Sequence, residues 1–295
     1  MASRGIAIVR AHLAKLPPSE TMTLADRRKQ YERAERVFPV PPEVKVETVT
    51  LGGVRAERLT PPSVTNAAIL YLHGGGYCIG SPRSHRHLAA AIGIAAEAVV
   101  ILPDYRLAPE HPFPAAVEDA VAVYRAMLAD GISPARIVIA GDSAGGGLTV
   151  ATLIALRDAG VALPAAGVCL SPWTDLTCSG KSYSTRAAAD PIVKDENVTE
   201  MATAYLAGGD PKTPLASPLF ADLRGLPPLL IQVGDAEVLL DDSVMLAERA
   251  KAAGVDATLE VWDEMVHVWP WFLTMLDEAP AAVDKIAEFA RSRVR

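Results

Sequence analysis

Eight short apolar, β-branched runs recur along the chain, at residues 44–50, 54–60, 67–72, 98–102, 136–140, 166–170, 228–233 and 257–262. From residue 67 onward most of the intervals hold a helix-length segment: 84–97, 114–129, 144–159, and 242–253 closed by Gly254. Continuous apolar strands alternating with helices predict a largely parallel sheet of eight strands covered on both faces, an α/β fold. The first two runs flank Gly52-Gly53, a two-residue turn suited to a hairpin, which adds antiparallel strands at one edge. Two segments fall outside the alternation. Residues 1–40 read as amphipathic and helical, with the charged run Asp26-Arg27-Arg28-Lys29 and a stop at Pro39. Residues 177–217 carry Ser, Thr, Gly and Pro, with one helix expected over 194–207. This insertion follows the run 166–170, on the side where α/β sheets keep their sites. The two segments are therefore expected to form one helical cap over a catalytic domain made of 41–176 and 218–295. The plainer alternative is two unrelated surface excursions.

Composition narrows the function. Half of the 295 residues are hydrophobic and 21% are charged, as in a protein with a sizeable core. The net charge of −7 is spread along the chain without a basic run, so no nucleic-acid partner is expected. No stretch reaches the roughly 18 consecutive apolar residues of a membrane span. The apolar run at 6–9 is too short for a signal peptide and is followed by Arg10. Cys78, Cys169 and Cys178 are odd in number and lack metal-site spacing, so a cytoplasmic location without a membrane or metal is the expectation.

The strongest local signal is Gly141-Asp142-Ser143-Ala144-Gly145, a G-x-S-x-G pattern between a strand and a helix. That context is what a nucleophile elbow requires: a tight turn that holds the serine hydroxyl at the sheet's edge beside a helix N-terminus. The competing reading is a helix N-cap serine after a glycine turn. His73-Gly74-Gly75-Gly76-Tyr77, directly after the run 67–72, shifts the balance. Its glycines leave backbone N–H groups unshielded, and such donors stabilise the oxyanion of an acyl-transfer intermediate. No Gly-Lys-Ser/Thr follows, so it is not a phosphate loop.

In the α/β-hydrolase arrangement the triad runs nucleophile, acid, histidine along the chain. His12, His73, His85, His87 and His111 precede Ser143, which leaves His267 as the base. The acid is expected after the run 228–233, where Asp235, Glu237, Asp241 and Asp242 compete. Asp241 or Asp242 is placed to cap the following helix, and Asp235 stands close to the strand end. Glu237 is favoured, with Asp235 as the alternative.

Together with the run 104–116 (Asp104-Tyr105-Arg106-Leu107-Ala108-Pro109-Glu110-His111-Pro112-Phe113-Pro114-Ala115-Ala116) and Ser171-Pro172-Trp173-Thr174-Asp175-Leu176, these motifs resemble the bacterial hormone-sensitive-lipase family of esterases over most of the chain. The resemblance implies backbone oxyanion donors at Gly75, Gly76 and Ala144, with Ser143 and His267 in the roles above. Family members usually carry Asp-Pro-Leu at the acid, and alignment puts Glu237 at that Asp and Val238 at the proline. The longer Glu side chain then needs a shifted backbone to meet His267. The resemblance further implies hydrolysis of short- to medium-chain esters without a cofactor. Some similar members are labelled monoterpene lactone hydrolases, which extends the expected small-molecule substrates to cyclic esters. Homodimers through the last strand, here 257–262, are also implied, and an exposed edge invites such pairing. Tyr77 and Trp173 are the expected substrate-binding neighbours. Two other readings use the same scaffold. One is an amidase or acyltransferase; the other is a ligand-binding protein similar to the plant gibberellin receptors, which lack the histidine that His267 supplies here.

Overall fold

The computed structural model describes residues 4–17 and 21–294, so parts of the expected N-terminal helical segment, 1–3 and 18–20, lie outside the described residues, as does 295. Helices α1 (Arg4–Leu13), α2 (Leu24–Glu32) and α3 (Ala34–Val37) precede the hairpin of β1 (Lys45–Leu51) and β2 (Val54–Thr60). Strand and helix then alternate: β3 (Ala68–Leu72), α4 (Pro82–Ala96), β4 (Val99–Pro103), α5 (Ala115–Ala129), β5 (Ile137–Asp142), α6 (Ala144–Asp158) and β6 (Ala166–Leu170). After the insertion with α7 (Ser182–Thr185) and α8 (Asp195–Leu206) come β7 (Leu229–Gly234), α9 (Leu240–Ala252), β8 (Ala257–Trp262) and α10 (Glu278–Arg293).

The strands form one sheet in the order β1-β2-β4-β3-β5-β6-β7-β8. The β1–β2 and β2–β4 pairs are antiparallel and all later pairs are parallel, as the hairpin and the alternation predict. Period-two alternation divides the core in two. Ile69, Tyr71, Val138, Ala140 and Val168 face α4 and α10, while Leu70, Leu72, Ile137, Ile139 and Cys169 face α5, α6 and α9. Strands β3, β5, β6 and β7 are buried along their whole length, which is why they read as continuous apolar runs. Strand β8 ends the sheet and leaves Val261 48% exposed.

Three features differ from the sequence reading. Helix α4 begins at Pro82 rather than 84, because Ser81 and Ser84 form a reciprocal capping box around a proline in the first turn. Helix α9 begins at Leu240 without a side-chain cap, so neither Asp241 nor Asp242 caps it. Helix α10 was not anticipated. Four of the six residues it buries (Ala279, Ala282, Val283, Ile286, Ala287 and Ala290) are alanines, which give a weak apolar periodicity.

Candidate active site

Ser143 stands between β5 and α6 with φ 53° and ψ −122°, a conformation costly for a residue with a Cβ. The turn is held on three sides: Ser143 N–H donates to Leu170 O at 2.8 Å, and Ser143 O accepts from Gly147 N–H at 3.1 Å and Trp173 N–H at 2.9 Å. The Ser143 side chain makes no capping hydrogen bond to α6, so the N-cap reading fails. Gly145 crosses the end of β3 so closely that any side chain there would collide with the carbonyl oxygens of Leu72 and His73.

The loop after β3 runs past this turn. Gly75 takes φ 115° and Gly76 φ 59°, and Gly75 O accepts from both Cys78 and Ile79 N–H groups. The N–H groups of Gly75, Gly76 and Ala144 donate no hydrogen bond among the described residues. The loop is fastened from below by Asp142. Its Oδ1 accepts from Gly74 N–H (3.1 Å) and Tyr71 O–H (2.8 Å), while its Oδ2 lies 3.4 Å from His85 Nε2. Burial works against the Asp142 carboxylate, yet His85 and the Tyr71 hydroxyl hold it below the ordinary range. His73 stacks on Tyr105 with ring centroids 4.1 Å apart, and Nδ1 donates to Gly74 O at 2.8 Å. Burial drives its pKa down to about 3, so the ring is neutral and serves the loop's shape.

Glu237 and His267 come together across the ends of β7 and β8. Glu237 Oε2 lies 2.7 Å from His267 Nδ1. Glu237 Oε1 accepts from Gly234 N–H at 2.6 Å and from the Ser171 hydroxyl at 2.8 Å. Burial pulls the His267 imidazole down, but the Glu237 hydrogen bond and charge outweigh it and raise the pKa above the ordinary value. Asp235 is turned away and accepts from Glu264 N–H at 2.7 Å. Asp242 Oδ1 accepts from the Thr174 and Asp175 N–H groups, both at 2.9 Å, and Asp241 Oδ2 from Ser182 N–H at 3.0 Å. These two carboxylates therefore hold loops rather than cap α9.

Ser171 links the two halves and was missed as a functional residue. It follows β6 at φ 43°, is fully buried, donates to Glu237 and accepts from Val268 N–H at 3.1 Å. Val268, the neighbour of His267, is itself at φ 48°, rare for a β-branched residue. The position of Ser171 at the end of β6, at the head of the Ser-Pro-Trp run, was the available signal.

Tyr77 and Trp173 are nearly fully buried beside the serine turn. Tyr77 stacks on Tyr205 of α8 with centroids 3.8 Å apart and tilts toward Trp173 at 6.1 Å. Met201 of α8 packs directly on Gly76. From α2, Arg28 donates to Cys78 O (2.8 Å) and Ala108 O (2.9 Å), and Arg27 pairs with Glu200 of α8 at 2.6 Å. Thus both unpatterned segments touch the oxyanion-loop region. Among the described residues no His, Cys, Asp and Glu cluster could hold a metal ion, and no helix is long and apolar enough to cross a membrane.

Comparison with known proteins identifies the family. A family model for the alpha/beta hydrolase fold matches residues 69–270. An acetyl-hydrolase of Streptomyces hygroscopicus is 52% identical over 269 residues, covering 90% of this chain and 89% of that protein. A crystal structure of EstE5 soaked with p-nitrophenyl butyrate superposes with a TM-score of 0.95 at 48% identity, covering 99% of both chains. An esterase from the bacterial hormone-sensitive lipase family superposes with a TM-score of 0.95 at 50% identity over the full length of both. The chain belongs to the α/β-hydrolase fold family and, within it, to the bacterial hormone-sensitive-lipase family of esterases.

Proposed function

We propose that this protein hydrolyses carboxylic esters of short to medium acyl chain through an acyl-enzyme on Ser143, with His267 as base and Glu237 as its orienting acid. The observation that carries the reading is the 2.7 Å Glu237–His267 contact, to which Ser171 is bonded, while its neighbours Leu170 and Trp173 hydrogen-bond the backbone of the strained Ser143 turn. A carboxylate only accepts, so Nδ1 of His267 bears the proton and Nε2 is left free to act. His267 Nε2 takes the Ser143 proton as Oγ attacks the ester carbonyl. Gly75, Gly76 and Ala144 donate their N–H groups to the resulting oxyanion. Collapse expels the alkoxide, which receives the proton from His267 and leaves an acyl-serine. Water, deprotonated by the same imidazole, then attacks the acyl carbonyl and regenerates Ser143.

The cap segments 1–40 and 177–217 bound the acyl pocket in this reading, with Tyr77 and Trp173 at its wall. The Arg28 bonds to Cys78 O and Ala108 O and the Met201 packing on Gly76 support a cap that shapes the space above the oxyanion loop. The exposed edge of β8 is the proposed homodimer contact. The similarity to EstE5, which was soaked with p-nitrophenyl butyrate, recommends that ester as probe. Ser143→Ala and His267→Ala are each expected to lower kcat on p-nitrophenyl butyrate by about three orders of magnitude or more. Undiminished hydrolysis by Ser143→Ala overturns the reading. A series of p-nitrophenyl esters of rising acyl length, run beside lactones, identifies the preferred substrate.

A further inference from the structure

The insertion between β6 and β7 reaches into the triad at the residue after Glu237. Val238 is buried, and both of its backbone polar groups are taken by side chains of that insertion. Its N–H donates to Asp190 Oδ2 at 3.0 Å, and its carbonyl accepts from the Ser182 hydroxyl at 2.5 Å. Asp190 is fully buried, and its other oxygen accepts from Ile192 N–H (2.8 Å) and Val193 N–H (3.0 Å). The surrounding loop is anchored in turn: Lys194 Nζ donates to Asp190 O at 2.5 Å, and Arg10 of α1 donates to Ala189 O at 2.8 Å.

A buried carboxylate is costly, and holding one amide would not require it. Asp190 has donors on both oxygens, however. An amide side chain offers one acceptor oxygen, so Asn could satisfy the insertion's own turn or the Val238 N–H, but not both. The carboxylate thus bridges two loops that a neutral isostere would leave unjoined. It also sets a negative charge near the Glu237–His267 pair.

Resting on the triad reading above, we propose that Asp190 is a positioning residue of the active site: it fixes the backbone beside Glu237, coupling seating of the insertion to competence of the triad. The charged groups that act on His267 are Glu237 after β7, Asp190 from the insertion and Asp142 at the end of β5, and each raises its pKa. Loss of the Asp190 charge therefore makes the base available at lower pH. Ser182 clamps the same residue, Val238, without a charge, which separates positioning from electrostatics.

The experiment is a pH–rate series on p-nitrophenyl butyrate with Asp190→Asn and Ser182→Ala, each checked for folding by thermal melting. Asp190→Asn is expected to lower kcat about 10-fold or more, as misplacement of a catalytic group does, with little change in KM. Its acidic limb in kcat/KM should move to lower pH by about half a unit or more. Ser182→Ala should lower kcat while leaving the limb in place. A folded Asp190→Asn with wild-type kcat and an unmoved limb overturns the proposal, as does a loss confined to KM. If Asp190→Asn does not fold, a folded Ser182→Ala with wild-type kcat overturns it alone. Failure of the triad reading would show instead as activity that survives Ser143→Ala, whatever the Asp190 and Ser182 variants do.

Discussion

Ser171 tests how the two halves of the site are joined. Replacing it with Ala removes a hydroxyl that donates to Glu237 Oε1 at 2.8 Å and accepts from Val268 N–H at 3.1 Å, both in a buried setting. A hydrogen bond to a charged group contributes about 1.5–3 kcal/mol, and an orphaned buried N–H costs about 1–3 kcal/mol. A loss of about 3 kcal/mol of stability follows, or about 5 °C in Tm for a chain of this size. The backbone offers an internal control. Ser171 is held at φ 43°, where a Cβ is unfavourable by about 1 kcal/mol. Ser171→Gly loses the same hydroxyl but sheds that strain, so it should melt about 1–2 °C above Ser171→Ala. Catalysis should suffer less than stability, because Glu237 keeps both Gly234 N–H and His267. A decrease in kcat of about 10-fold is expected, far short of that for His267→Ala. Thermal melts followed by circular dichroism, with p-nitrophenyl butyrate assays well below Tm, read both effects. A Ser171→Ala protein that melts with wild type, or a Ser171→Gly protein that melts below Ser171→Ala, refutes the reasoning.

The raised pKa of His267 places the acidic limb of kcat/KM above about 6.5, the ordinary imidazole value, because only the neutral ring accepts the serine proton; a limb well below 6.5 contradicts it. Burial lifts the Asp242 carboxyl to about 8, while the unfolded chain titrates near 3.9, so this group destabilises the fold increasingly as pH rises between those values. Asp242→Asn keeps an oxygen for the Thr174 and Asp175 N–H groups, and is expected to melt above wild type at pH 8, by on the order of 2 kcal/mol, with the gain vanishing near pH 4. Gly145→Ala would drive a methyl into the carbonyls of Leu72 and His73 and should leave little soluble protein. Gly53→Ala, whose Cβ would meet nothing within 4 Å at φ 83°, should cost only about 1 kcal/mol in the same melting assay.

What could be read from sequence depended on the range over which the information acts. Strands β3, β5, β6 and β7 were legible because burial on both faces writes an unbroken apolar run. The serine turn was legible because the crossing of β3 by α6 demands glycine within two residues of Ser143. The supporting residues were not. Ser171 and Glu237 are 66 positions apart, and Asp190 and Val238 are 48 apart. Each of these side chains belongs locally to an ordinary turn, and only the folded sheet gives it a second partner. The proposed acid, Glu237, stands between the two cases. In the loop after β7, Asp235 N–H donates to Trp262 O and Ala236 N–H to Met265 O, pinning this loop against the one that carries His267. Glu237 then folds back so that one oxygen meets Gly234 N–H and Ser171 while the other meets His267. An Asp here would draw the carboxylate back by about 1.5 Å, one carbon–carbon bond. It could not keep both oxygens on their partners without moving a loop that Asp190, Ser182 and the β8 end hold fixed. The choice of Glu is therefore a property of the whole loop assembly; chain order singled out His267, whereas Glu237 could be favoured over Asp235 only with the help of the family alignment.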